Sequence, residues 1–292
     1  MNEYAYSSKL MGSDLDVAII SDSKELADNA YNKLLVLGRA YENTYSRFVP
    51  ESELSKLNNT RSLQVSKEFL DITLTARKIY TKTEHSFNPL FQIKRYGYNK
   101  SFSLMGGITS SIIDAPYNID FDSVTINLDN STISLHEDQM LDFGGFLKGY
   151  VAEKLSELLS DFPGSIVNIG GDLYTRGRDV NGEQFKFEIY NPIGGGDVTT
   201  LAIEDSALTT SGTYKRTWKY NETNYHHILG KDGRSNTKNS IISATIIHKD
   251  GGWADALTKI AFTLDLNEAV TKFRSLGVRF VLIDNNGKLI FN

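Results

Sequence analysis

Short strand-like segments, bunched in pairs between amphipathic helices, constrain this 292-residue chain more than any other feature. From Lys24 to Tyr45, the residues Leu26, Ala30, Leu34, Leu37, Tyr41 and Tyr45 recur at three- and four-residue spacing. That spacing predicts one apolar helical face, and Ser21 or Ser23 can cap its start. A second helix is predicted from Ser66, with Phe69, Leu70, Thr73, Ala76 and Tyr80 turned inward. Residues 148–160 read as a third, 254–264 as a fourth and 268–275 as a fifth. Strands are predicted at 16–20, 166–169, 185–190, 242–248, 278–283 and 289–291. Two more, 124–128 and 132–135, are joined by Asp129-Asn130-Ser131, a hairpin signal. Asn285-Asn286-Gly287 turns the chain into the last strand. Strict strand–helix alternation is missing, so the pattern favours α+β with mainly antiparallel sheets over a doubly wound parallel sheet. The stretches 99–123 and 192–197 read as loops, the second carrying Gly194, Gly195 and Gly196.

Length alone predicts about two domains at ~150 residues each. The chain has no cysteine. That removes disulfide scaffolds, thiolate metal sites and cysteine nucleophiles together. At 40% hydrophobic and 23% charged residues, it is not disordered, collagen-like or a coiled coil. Net charge is −5 with no basic stripe, which argues against a duplex nucleic-acid binder. No apolar run reaches the ~18 residues of a membrane span. The opening residues lack the basic and apolar regions of a signal peptide. The expectation is an intracellular, cytoplasmic protein acting on a small ligand.

Five clusters could carry chemistry. Asp142-Phe-Gly144-Gly145-Phe-Leu-Lys148-Gly149-Tyr opens a predicted helix. Glycines allow close backbone approach, and a helix start with a lysine suits a phosphate; a tight turn with a solvated lysine is the alternative. Val167-Asn168-Ile-Gly170-Gly171-Asp172 ends a buried strand, either as a ligand wall or as a turn with a capping aspartate. Thr209-Thr210-Ser211-Gly212-Thr213 offers hydroxyls for an anion or forms a polar turn. His226 and His227 are adjacent, so on a strand they face opposite ways, and one can serve as acid or base. Asp255 and Lys259 share a helical face, as a surface ion pair or as a carboxylate held in a cleft that suits Mg²⁺.

Taken in order, these segments resemble the ApbE-type FAD:protein FMN transferase family from Met11 nearly to the C-terminus. Met11-Gly-Ser resembles its Met-Gly-Thr, and Ser46-Arg-Phe48 with Ser52-Glu-Leu-Ser-Lys-Leu-Asn58 resembles its first-helix exit. Phe87-Asn88-Pro89 is similar to its Phe-Asp-Pro. The 142–150 stretch matches Asp-x-Gly-Gly-x-x-Lys-Gly-Tyr, and Asn168-Ile-Gly-Gly-Asp172 matches residue for residue. Thr210-Ser-Gly212, His227-Ile and Ala254-Asp-Ala-Leu257 complete the order.

The resemblance implies a T-fold-like α+β unit over 1–292, with two intimately packed lobes around a central cleft. It implies FMN transfer from FAD to a Thr or Ser hydroxyl of a target flavoprotein, with AMP released. An FAD pyrophosphatase and a non-catalytic FAD carrier are the alternatives. By resemblance, His227 positions or deprotonates the acceptor hydroxyl, and Lys148 stabilises the phosphates. Asp255, Gly145 through its carbonyl, and Thr258 are the expected Mg²⁺ ligands. Met11, Asn43, Phe48, Asn88, Asp142, Gly144, Asn168, Gly170, Gly171, Asp172, Thr210, Ser211, Gly212 and Lys259 are the expected FAD contacts, with Phe48 as a stacking face. The change Asp255→Ala is expected to abolish the reaction with the fold largely intact.

Two positions depart from the family pattern. The family's Asp-x-x-x-Thr metal pair would place a threonine at position 259, where this chain has Lys259. A charged ammonium has no lone pair for a metal, so Lys259 is expected to face Asp255 and the pyrophosphate and partly replace the cation. After His227 the usual His-Ile-x-Asp-Pro-x-Thr-Gly is replaced by His227-Ile-Leu-Gly230-Lys-Asp-Gly233-Arg. The loop on the acceptor side is therefore different.

Overall fold

The helices begin where short polar side chains can take up their first free amides. In the computed structural model, which describes residues 1–100, 102–109, 111–234 and 240–292, Ser23, Ser52 and Ser66 each accept from the backbone N–H three residues on. They start α1 (Lys24–Tyr45), α2 (Glu53–Thr60) and α3 (Lys67–Lys82). Asp250 caps α5 (Gly251–Thr263) in the same way. Asp265 and Glu268 form a capping box on α6 (Leu266–Ser275). α4 (Leu147–Glu157) has no side-chain cap of its own, because Phe146 stands at that position.

The strands run in chain order as β1 (Asn2–Leu10), β2 (Ser13–Ser21), β3 (Ser62–Gln64), β4 (Thr125–Asn127) and β5 (Thr132–Ser134). They continue as β6 (Gly164–Ile169), β7 (Asp172–Gly177), β8 (Phe185–Tyr190), β9 (Asp197–Ile203) and β10 (Ser206–Gly212). The last are β11 (Thr217–Tyr220), β12 (Thr223–His226), β13 (Ile241–His248), β14 (Arg279–Asp284) and β15 (Leu289–Phe291). An eight-stranded sheet has the order β1-β2-β6-β7-β10-β13-β14-β15, and every neighbouring pair is antiparallel. The fold is therefore α+β with mainly antiparallel sheets, as the clustering of strands predicts.

Side-chain alternation divides the sheet into two faces. Tyr174, Ala207 and Ile246 join the main core with α4 and α5. Leu173, Leu208 and Ile247 face the other way, under the β8–β9 hairpin with Ile189 and Ile203. Register places Leu208 opposite both Leu173 and Ile247, so the second cluster is continuous across three strands.

Some boundaries differ from the sequence reading for local reasons. α5 starts at Gly251 and α6 at Leu266, each directly after its aspartate cap. α4 ends at Glu157, short of the expected 160. β1 carries few aliphatics, and its inward residue Tyr6 stacks on Tyr31 of α1 with centroids 4.4 Å apart. The Gly170-Gly171 pair (φ 64° and 97°) makes the two-residue turn of the β6–β7 hairpin. Thr209–Gly212, open to a turn reading, lies inside β10, paired on both sides over part of its length.

Candidate active site

α4 and α5 cap each other. Gly149, in the uncapped first turn of α4, donates its N–H to Asp255 Oδ2 at 3.1 Å. Gly251, first residue of α5, donates to Glu153 Oε2 of α4 at 2.7 Å. A carboxylate is thus set at each helix start, where the macrodipole favours it. Asp255 is fully buried, and its other oxygen Oδ1 takes the Lys259 ammonium one turn along α5. Beside this pair, Lys148 of α4 is bonded to Asp172, the first residue of β7, which is also buried. Burial and the neighbouring Asp172 carboxylate push the Asp255 carboxyl up from its ordinary range, while Lys259 and Lys148 oppose that rise.

Lys148 and Lys259 reach from these pairs into a cavity of about 530 Å³, which Arg216 and His227 also line. His227 follows β12, and its Nδ1 has no hydrogen-bond partner among the described residues. Burial, then Arg216, Lys259 and Lys148, hold its proton affinity well below the ordinary histidine range. It is a neutral imidazole among three cations. His226 faces elsewhere, its Nδ1 accepting from Ile228 N at 3.3 Å.

A second part of the wall is aromatic. The Arg47 guanidinium lies 4.4 Å from the Phe48 ring centroid and 4.7 Å from that of Tyr98, and 3.3 Å from Asp142 Oδ2. Phe91 and Leu229 add apolar surface. Phe48 remains 40% exposed, a flat face open to a ring.

Ten of the expected site residues line this cavity: Met11, Asn43, Phe48, Asn88, Asp142, Gly144, Gly145, Lys148, His227 and Lys259. Asn88 does so with its amide committed to Ile119 O and Leu90 N. The remaining expected residues stand behind the wall or away from it. Asn168 accepts from Gly171 N at 2.8 Å and ties the β6–β7 turn together with Gly170. Asp172 serves the cleft through Lys148.

Thr210 and Ser211 are adjacent on β10, so they point to opposite faces. Thr210 pairs with Thr245 at 2.9 Å, and its face is that of Leu208, away from α5. Ser211 bonds Thr258 at 2.7 Å. The structure therefore does not bring these two hydroxyls to one ligand, and Gly212 packs against the Tyr214 ring.

Two members of the expected Mg²⁺ set, Asp255 and Thr258, are already committed within the protein. Both Asp255 oxygens are engaged, and Thr258 donates its hydroxyl to Asp255 O at 2.6 Å while meeting Ser211. Magnesium takes one or two protein carboxylates beside substrate phosphates and waters in a near-octahedral shell. Among the described residues, no group of three or more His, Asp or Glu could hold a metal ion.

Sequence reasoning passed over Arg216, Arg47 and Tyr98. Arg47 lies inside the Ser46-Arg-Phe48 stretch, where its charge was the available signal. Arg216 and Tyr98 carry no local signal, since only tertiary packing turns them to the cleft.

A model of the ApbE family matches residues 11–282. An FAD:protein FMN transferase of Klebsiella pneumoniae is 24% identical over 93% of this chain and 85% of its own length. One of Chlamydia pneumoniae is 25% identical over 88% and 81%. Among solved structures, the ApbE protein of Thermotoga maritima superposes with a TM-score of 0.89 at 19% identity, covering 100% of this chain and 97% of its own. The Vibrio cholerae flavin transferase ApbE gives 0.81 at 19%, covering 100% and 97%.

Proposed function

The chain belongs to the ApbE family, and from that premise we propose that it transfers FMN from FAD to a Thr or Ser hydroxyl of a target flavoprotein. The observation that carries this reading is the gathering of Lys148, Lys259 and Arg216 around an uncharged His227 in one cleft. Phosphoryl transfer needs positive groups fixed where charge develops, and a base for the nucleophile. The three cations meet the pyrophosphate oxygens. The Phe48–Arg47–Tyr98 wall offers the isoalloxazine a stacking face.

His227 takes the hydroxyl proton as the acceptor oxygen forms its bond to the FMN phosphorus. The bridging P–O bond breaks, and its electron pair leaves with AMP. Lys148 is held in place by Asp172, and Lys259 by Asp255, so neither ammonium has to be ordered during the reaction.

The test is incubation of the protein with FAD and a serine- or threonine-containing acceptor peptide, followed by mass spectrometry and AMP assay. An FMN-bearing peptide with stoichiometric AMP is expected. AMP and free FMN without labelled peptide would make the protein an FAD pyrophosphatase. Bound FAD with no AMP would make it a carrier.

A further inference from the structure

We infer that Lys259, with Lys148, supplies the positive charge at the pyrophosphate in place of a divalent cation, so that this chain cleaves FAD and transfers FMN without Mg²⁺. The inference rests on the transferase reading and concerns how that site is charged.

Three observations carry it. The first is that both Asp255 oxygens are already committed: Oδ2 holds the start of α4 through Gly149 N–H, and Oδ1 holds Lys259. Releasing Oδ2 to a metal would strand a buried helix amide, and releasing Oδ1 would strand an ammonium that is only 16% exposed. The second is that Thr258, the nearest hydroxyl to the family's threonine position, is buried and closed on Ser211 and on Asp255 O. One carboxylate oxygen in this region, Asp172 Oδ1, is buried without a hydrogen-bond partner among the described residues. Magnesium is held by one or two carboxylates together with substrate phosphates and waters, and the other Asp172 oxygen already holds Lys148.

The third observation is donor capacity. Each lysine ammonium carries three N–H donors. One N–H of Lys148 is directed to Asp172 and one of Lys259 to Asp255, and both residues line the cavity. Up to four N–H groups remain for the phosphate oxygens. The two pairs together are neutral, and Arg216 adds one positive charge to that wall. The wall therefore meets a dianionic pyrophosphate with one net positive charge and these free N–H donors, with both carboxylates kept in their structural roles.

The test uses the full chain stripped of metal, assayed with FAD and acceptor peptide in EDTA and in added Mg²⁺, beside calorimetric titration of Mg²⁺ into the FAD-bound protein. Equal transfer rates in the two buffers are expected, with no stoichiometric Mg²⁺ binding. Lys259→Thr is expected to lose about 10²–10³-fold in EDTA, with Mg²⁺ restoring part of the rate. Lys259→Arg keeps the charge and is expected to transfer faster in EDTA than Lys259→Thr does, which separates loss of the cation from loss of the fold. Transfer abolished by EDTA and restored by Mg²⁺ in the unaltered protein would overturn the inference. So would stoichiometric Mg²⁺ binding to the FAD complex, even if no peptide were labelled. Absence of AMP and labelled peptide in both buffers, with no Mg²⁺ bound, would count against the transferase reading instead.

Discussion

Gly149 on α4 and Gly251 on α5 touch backbone to backbone: a Cβ on either would lie 2.1–2.2 Å from the other's carbonyl oxygen. This approach lets Asp255 reach the start of α4 and Glu153 reach the start of α5. The glycine of the Lys148-Gly149-Tyr150 stretch is therefore required by helix packing. Gly149→Ala is expected to destabilise the protein by about 3 kcal/mol, read as a lower urea midpoint with unchanged slope. FAD affinity should fall with it, because α4 carries Lys148.

Asp255→Ala bears directly on the expectation of an intact fold. Asp255 is buried and pairs with both Lys259 and the Gly149 amide. Removing it strands a largely buried ammonium, and that class of change costs about 3–5 kcal/mol. Chemical denaturation should show a clear loss of stability alongside loss of activity. Full stability in the alanine variant would contradict the ion pair.

Arg47 is sandwiched against Phe48 and Tyr98 and anchored by Asp142. Arg47→Ala removes the support of the stacking wall. FAD binding, followed by quenching of flavin fluorescence, is expected to weaken about tenfold. AMP release at saturating FAD should change much less.

The acid limb of the pH–rate profile reports His227. Burial and three nearby cations lower its pKa well below the ordinary value, so it stays neutral as the pH drops through the usual histidine range. The acid limb of kcat/KM is therefore expected well below pH 6.5. Arg216→Ala removes one of those cations and eases protonation, so the limb should move to higher pH. No movement would remove Arg216 from the electrostatics of the site.

Glu153 gives a stability readout that is independent of catalysis. Burial raises its folded-state pKa, with Asp250 and Glu157 adding to the rise, while the Gly251 amide and Lys154 oppose it. A raised carboxylate pKa means that the unfolded chain ionises first. Stability from this group is therefore present at low pH and lost as the pH climbs through the folded pKa. Glu153→Gln can still accept from Gly251 and carries no charge. Its Tm is expected to exceed that of the unaltered protein by about 2–4 °C at pH 8 and to converge with it near pH 4. Thermal melts across that range decide it.

The sequence by itself determined what local chemistry can specify. Ser23 and Ser66 mark helix starts within reach of their own side chains, and Gly170-Gly171 turns one strand into the next. The ordered motifs marked Lys148, His227 and Asp255 as chemically distinct, and all three gather at one site. Tertiary structure alone decided which partner each group meets. Asp255 caps a helix start 106 residues away, a relation that no periodicity can show. Thr210 and Ser211 look alike in sequence, yet β10 sends one to Thr245 and the other to Thr258. The physical reason is range. Caps, turns and helical faces are set by neighbours within about four residues. The face a strand residue presents, and the charge a buried carboxylate meets, are set by packing between distant segments.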